Sequence, residues 1–560
     1  MGGPVRMLIP LMGLVSAAAA QPAAVELRPG MAALPQPGVP RLWEAVPDAD
    51  RNEPNLSLLP RELHRWVFAP GEAVEVRVIC GAGAPGERAV LTVWDWHRSP
   101  VAQAPFAKPS DEWVTFEVQG RGTYLLTLDL FAGDRCAARL ARSFSVCPSN
   151  LERRQAWATD EFWVGTCAFP GRQHWANDYG SPTPPGLTEQ QSRDLDAGLS
   201  ARLGLQIVRP DLPVEWASED APLDFTRADA SFAAWTSRGF KLCLQLGQPP
   251  DWAVLPQYAN VTDPKWRYPR LEGPSRRWVA ECAARYGKDA ALIELYNEPD
   301  NRDFWRGTPE EFIAWSRWAE EETRRAAPGV PIANGGYCLI EPEWTGLFAR
   351  ALLGKADLVA YHSHGGSPEI EATFAAMRAV HAAAGYAQPT FINTEMGYAA
   401  WRLDIERSQA ATAIQKVLYC WGHGHRGALL YCSRDIGGPR QRTGDADWGF
   451  IDYTMCPRFA YGALAAFIDT YAGARFESVL AQTQHTRAYV FRTDGALLVA
   501  CYTLHDGTQP LVLTTDATRA ELIDPMGNHT PLPSPNRLEL EAGYYPLTVV
   551  LHGATTAAIG

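Results

Sequence analysis

The chain has no surplus of positive charge. Its 51 Lys and Arg are outnumbered by 63 Asp and Glu, for a net charge of −12. Phosphate backbones are bound by basic surfaces, so nucleic acid is excluded as the main partner. No apolar run of about 20 residues follows the N-terminal stretch, so no integral membrane segment is expected beyond it. The 11 Cys include no Cys-x-x-Cys pair, and no Cys/His cluster stands at zinc spacing. Cys243 and Cys432 lie in apolar, strand-like runs and read as small buried hydrophobes, whereas Cys136 and Cys147 are a candidate bridge. No internal repeat with a period of about 20 to 50 residues stands out. Nothing in the sequence calls for a cofactor or a metal. Disorder is excluded too, because 46% of residues are hydrophobic and 20% charged.

At 560 residues the chain is too long for one ordinary domain. Residues 1–20 read as a signal peptide. Arg6 supplies a positive start, 7–15 are apolar, and Ala18-Ala19-Ala20 offers cleavage after Ala20. A secreted or periplasmic protein is expected, with an uncleaved N-terminal anchor as the alternative. Residues 21–55 form a Pro/Ala-rich lead-in. From 56 to 150, short alternating runs punctuated by Gly and Pro predict an N-terminal β-sandwich. From 155 to 472, apolar strands alternate with helical stretches, the pattern of an α/β fold with a parallel sheet. Candidate strands lie at 163–167, 205–209, 241–246, 292–296, 331–334, 358–362, 390–394 and 428–432. Eight strands over that length predict a (β/α)8 TIM barrel. Thr308 is expected to cap the helix that opens at Pro309. From 473 to 560 the alternating runs return and predict a C-terminal β-sandwich.

Two carboxylates occupy matching places. The apolar run Ala291-Leu292-Ile293 leads into Asn297-Glu298-Pro299, and Pro299 has no N–H with which to continue a ladder. Glu298 is therefore expected where a strand gives way to a loop. Phe391-Ile392-Asn393-Thr394 delivers Glu395 in the same way. Carboxylates at the C-terminal ends of barrel strands are placed for chemistry, and a pair suggests glycosidic bond cleavage, one acting as acid and the other as nucleophile or base. The two are 97 residues apart. Three βα units of a barrel of about 250 residues take roughly 94, which puts them on strands four and seven if Glu298 is on strand four. An ordinary charged turn is the alternative for either residue.

Asn297, Glu298, Pro299 and Glu395 together resemble the pattern of clan A of the glycoside hydrolases. The likeness is strongest to family 39-like proteins. It is carried by Gly204-Leu205-Gln206-Ile207-Val208-Arg209, Gly239-Phe240-Lys241-Leu242, Pro249-Pro250-Asp251-Trp252 and Asp447-Trp448-Gly449-Phe450-Ile451-Asp452, and it covers about 155–470 well. The resemblance implies a retaining double displacement, with Glu298 as acid/base, Glu395 as nucleophile and an equatorial bond as the target. It further implies that Asn297 binds the sugar 2-hydroxyl and that Arg209 holds Glu395 ionised. A structural ion pair is the alternative for Arg209. His362 falls on the clan's His position, and His364 stands where the clan has a Tyr. Two His at this spacing are also read against a metal site, for which no third ligand is evident.

The eighth strand departs from the clan, which commonly places a Trp there. Tyr431, or a loop residue such as Trp175, Trp252, Trp401 or Trp448, is left to form a sugar platform. The 20 Trp are compatible with carbohydrate binding, although many are expected in the core. Asp211, Glu215, Asp251 and Asp435 are expected to bind hydroxyls or to pair with Arg. Two further functions stay open at this point. One is a non-catalytic carbohydrate-binding protein on a barrel scaffold, which both carboxylates disfavour. The other is a transglycosylase, which needs the same residues. Neither the sugar nor the oligomeric state can be read from the sequence.

Overall fold

The computed structural model describes residues 56–155, 161–169, 183–184, 186–400, 403–436, 447–505 and 507–559. The expected signal peptide and lead-in lie outside them, as do Trp175 and Trp401. Among the described residues, no helix is long and apolar enough to cross a membrane.

The centre is an eight-stranded parallel sheet. Its strands, in order around the barrel, are Trp163–Ala168, Ile207–Pro210, Lys241–Gln245, Ala290–Glu294, Ile332–Ala333, Val359–His364, Phe391–Gly397 and Gly427–Leu430. The eighth strand pairs with the first. The short fifth strand meets the sixth only through the isolated bridges Ala333–Leu358 and Tyr337–Tyr361, which bring the ring close to closure. Eight helices cover the outside: α1 (Glu189–Leu203), α2 (Thr226–Thr236), α3 (Glu272–Tyr286), α4 (Pro309–Ala326), α5 (Pro342–Ala351), α6 (Ser367–Ala383), α7 (Leu403–Gly422) and α8 (Phe459–Tyr471). Thr308 caps α4 in a capping box with Glu311, and Thr188 does the same for α1 with Gln191.

The alternation of the strands sorts the barrel interior into layers. Ile207, Cys243, Leu292, Ala333, Leu358, Ala360, Ile392 and Leu429 pack as one apolar layer. Two residues further along each strand, on the same face, stand Arg209, Gln245, Glu294, His362, Thr394 and Tyr431. An apolar floor is thus overlaid by a polar layer at the C-terminal mouth.

Two β-sandwich modules flank the barrel. The N-terminal one sets a three-stranded sheet (Leu56–Pro60, Val74–Cys80, Ser110–Phe116) against a five-stranded sheet that includes Arg88–Trp94, Gly122–Ala132 and Arg135–Val146. The C-terminal one sets a six-stranded sheet against a three-stranded one. Cys136 and Cys147 are not bridged to each other, which corrects the candidate bridge. They lie near the start and just past the end of one strand, Arg135–Val146. An extended chain at about 3.3 Å per residue keeps them far apart.

Candidate active site

Arg209 is the hub of the polar layer. It ends the second strand, almost fully buried. Its Nε donates to Glu294 Oε2 at 2.5 Å, its Nη1 to Glu395 Oε1 at 2.5 Å and its Nη2 to Asn297 Oδ1 at 2.7 Å. One planar guanidinium thereby fixes three side chains from two other strand ends.

Glu395 lies within the seventh strand, not just beyond it as the sequence suggested. Strict alternation would turn Thr394 and Glu395 to opposite faces. The ladder slips here: Tyr361 pairs with Asn393, but His362 pairs with Glu395. This bulge lets both side chains reach the interior, where Thr394 Oγ1 donates to Glu294 Oε1 at 2.8 Å and Glu395 meets Arg209. Burial would raise the Glu395 carboxyl, but the His362 and Arg209 cations beside it hold it well below the usual carboxylate range.

Glu298 stands four residues past the fourth strand, which ends at Glu294. Its backbone is left-handed, with φ of 47°, and its N–H donates to Gly336 O at 3.0 Å. That strained turn aims a mostly buried carboxylate back over the barrel mouth. Glu298 Oε1 is 2.7 Å from His362 Nδ1, and Oε2 accepts from Asn301 Nδ2 at 3.1 Å. His362 Nδ1 is 3.6 Å from Glu395 Oε2, so the imidazole lies between the two carboxylates and nearer to Glu298. Burial disfavours an imidazolium there, but Glu395, Glu294 and Glu298 outweigh it and push the His362 pKa up to about 10. His364 Nε2 is 3.6 Å from Glu395 Oε2. One ligand atom each from Glu298, His364 and Glu395 lies within 4.8 Å of the other two. That is close enough for a shared cation, but Glu298 and Glu395 already accept from His362, Asn301 and Arg209.

A cavity of about 370 Å³ opens beside this cluster. Arg209, Asn297, Glu395, Tyr431, Asp211, Trp266 and Phe304 are among the residues that line it. Its size suits a small ligand. Tyr431 packs edge-on against His364 and Trp448, with centroids 5.3 and 5.8 Å apart, and Trp448 is 5.1 Å from His364. Of these rings, His364 approaches Glu395 and Tyr431 lines the same cavity as it. Trp252 sits elsewhere: its ring crosses Trp216, and its indole N–H donates to Trp216 O at 2.8 Å. Of the spare carboxylates, Asp251 pairs with Arg270 at 2.8 Å, Asp435 with Arg458 at 2.6 Å, and Glu215 reaches Arg227 at 3.6 Å.

Sequence reasoning missed Glu294, which is completely buried. Burial would raise its pKa, yet Arg209 and His362 keep it lowered. Its signal was a lone charge inside Leu292-Ile293-Glu294-Leu295, on the inward face with Leu292. It missed Trp266 as well, for which no local signal existed.

The assembly at the barrel mouth is a pair of buried carboxyl groups, Glu395 beside the Arg209 guanidinium and Glu298 hydrogen-bonded to the His362 imidazole. Such a pair can deliver a proton on one side of a bond and a nucleophile on the other. The fold is shared with a family 39 glycoside hydrolase from the gut symbiont Bacteroides cellulosilyticus WH2, at a TM-score of 0.65 and 16% identity over 88% of this chain and 100% of that one. A GH30 endoxylanase from Clostridium papyrosolvens C71 aligns at a TM-score of 0.46 and 11% identity, over 70% of this chain and 96% of that one. A glucosidase from Croceicoccus marinus gives 0.46 and 12%, over 70% and 95%. These last two superpose too loosely to bear on the fold. No family model and no curated protein matches the sequence.

Proposed function

We propose that the protein is an exported retaining glycoside hydrolase that acts on carbohydrate, by double displacement between Glu298 and Glu395. The observation that carries this reading is the spacing of the two carboxylates, with oxygens within 4.8 Å of each other across the barrel mouth. Retaining enzymes hold their carboxyl groups about 5–5.5 Å apart, whereas inverting ones leave about 6.5–9.5 Å for a water. The electrostatics support the same division of labour. A carboxylate kept ionised by Arg209 and His362 suits a nucleophile.

In this mechanism the acid form of Glu298 protonates the leaving oxygen while Glu395 attacks the anomeric carbon. The glycosyl–Glu395 ester forms as the glycosidic C–O bond breaks. Glu298, now a carboxylate, takes a proton from water, which displaces Glu395 and restores the acid. His362 Nδ1 lies 2.7 Å from Glu298 Oε1 and orients it. Asn297, held by Arg209, presents its amide N–H2 to a sugar hydroxyl. Tyr431 lines the same cavity as Glu395 and Asn297. Residues 1–20 would direct export.

The test is reducing-sugar release by the full chain across a panel of poly- and oligosaccharides, beside Glu395→Ala. Release should fall at least about a thousandfold in the variant. The first-formed product should keep the anomeric configuration of the substrate by NMR. Undiminished release in the variant, or an inverted product, would overturn the reading.

A further inference from the structure

Lys416 is a buried cation to which the proposed reaction assigns no task. It lies on α7 and is 1% exposed. Its hydrogen bonds go to two backbone carbonyls, Ser363 O at 2.9 Å and Gly397 O at 3.2 Å. Burial draws its pKa down to about 7 against the pull of Glu369. An ammonium held this way costs free energy that an apolar side chain of equal length would not.

The two carbonyls explain the placement. Ser363 sits between His362 and His364, and Gly397 follows Glu395 by two residues. Gly397 O also accepts from Gly365 N at 3.0 Å. The ladder between these strands slips by one residue at Tyr361/His362 and then resumes, pairing His362 with Glu395, Ser363 with Met396 and His364 with Gly397. On the barrel side, His362 Nδ1 and His364 Nε2 each approach Glu395 Oε2 to 3.6 Å. On the helix side, one ammonium binds both strand ends. The helix is itself anchored next door: Tyr502 OH donates to Gln415 O at 3.2 Å, and Gln415 Nε2 to Tyr544 O at 2.5 Å.

We propose that Lys416 is a positioning residue that sets the spacing of the His362–His364 pair to Glu395 by clamping the Ser363 and Gly397 carbonyls from behind. The proposal rests on the glycosidase reading for its consequence in catalysis, but not for the clamp itself.

The experiment compares Lys416→Met with Val417→Ala in the full chain. Val417 is equally buried on the same helix and touches neither strand end through a hydrogen bond. Histidine-selective 15N spectra are recorded, with His362 and His364 assigned from their Gln variants. Kinetics use an aryl glycoside that the wild type hydrolyses. Lys416→Met should move the His362 and His364 signals, leave His529 in place, and lower kcat about 10- to 100-fold with KM within about threefold. Val417→Ala should do none of these. If Lys416→Met does not fold, Lys416→Gln, which replaces the ammonium with a shorter neutral amide, carries the same comparison. Unmoved His362 and His364 signals in a folded variant overturn the proposal, whatever happens to kcat. Moved signals in a protein whose wild type cleaves no glycan sustain the clamp and overturn the glycosidase reading instead.

Discussion

Arg209 joins Glu294, Glu395 and Asn297 with one guanidinium, so its removal leaves two buried carboxylates without their cation. Arg209→Met should cost about 3–5 kcal/mol of stability, as breaking a buried pair does, measured by denaturant unfolding. A loss below about 1 kcal/mol, the scale of an exposed pair, would show that Arg209 does not carry the cluster. The pH dependence follows from the same charges. The Glu395 pKa is lowered on folding, so its contribution to stability is present above its unfolded value near 4.3 and is lost as pH falls through the folded one. His362 runs the other way. Raised from 6.5 to about 10, it stabilises fully below pH 6.5, and that contribution is lost as pH rises through about 10. The difference in unfolding free energy between wild type and His362→Gln should therefore shrink from about pH 7 to pH 10. A difference that stays constant across that range would mean that His362 is neutral in the folded protein. The place of Glu298 past a strand end was legible because Pro299 and the apolar run mark it, and that of Glu395, which lies within its strand, was legible only to within a few residues. Glu294 was not, because a carboxylate inside an apolar run is interpretable only when its cation is known.

Two glycines decide how closely the strand ends can pack. A Cβ at Gly336 would run into His362 Nε2 and come within 2.6 Å of Glu294 Oε1. A Cβ at Gly397 would lie 2.6 Å from the Trp448 ring and 3.0 Å from His364 Nδ1. Gly336→Ala should therefore displace His362 and, if the proposed double displacement holds, lower kcat/KM about a hundredfold, the cost of a shift of about 1 Å in a catalytic constellation. Full activity in Gly336→Ala would show that His362 tolerates such a shift. The slipped ladder at Glu395 belongs to this scale as well. Alternation along the strands layers Ile207 under Arg209 and Leu292 under Glu294 in the structure. The slip was not readable, since nothing in Asn393-Thr394-Glu395-Met396 marks a bulge. The fourth strand likewise ends earlier than its apolar run: Leu295 still donates to Ala333 O at 3.1 Å, but it and Tyr296 lie buried beyond the last strand residue.

The flanking modules share their packing with the barrel. Phe491 of the C-terminal sheet stacks near Trp421 of α7 and Tyr471 of α8, with centroids 4.6 and 5.1 Å apart. On the N-terminal side, Ser143 Oγ donates to Pro457 O at 2.6 Å and Thr123 Oγ1 to Arg458 O at 3.1 Å. Cys456, from the chain that follows the eighth barrel strand, packs in the core of the N-terminal sandwich. A chain truncated after residue 472 should consequently expose Trp421 and Tyr471 and show no cooperative thermal unfolding by circular dichroism. A truncated chain that melts cooperatively near the full-length temperature would show that the barrel is independent of the C-terminal module.

By itself the sequence determined the strand–helix alternation, the two flanking β modules and the placing of two carboxylates near the ends of the fourth and seventh strands, because each is written in short windows of hydrophobic period and turn chemistry. Only the tertiary structure decided what those carboxylates meet. Arg209, Glu294, Glu298, His362 and Glu395 come from four strand ends. They face one another because the sheet curls nearly into a closed barrel. Their charges are then set by burial among those neighbours, a property that no local stretch of sequence contains.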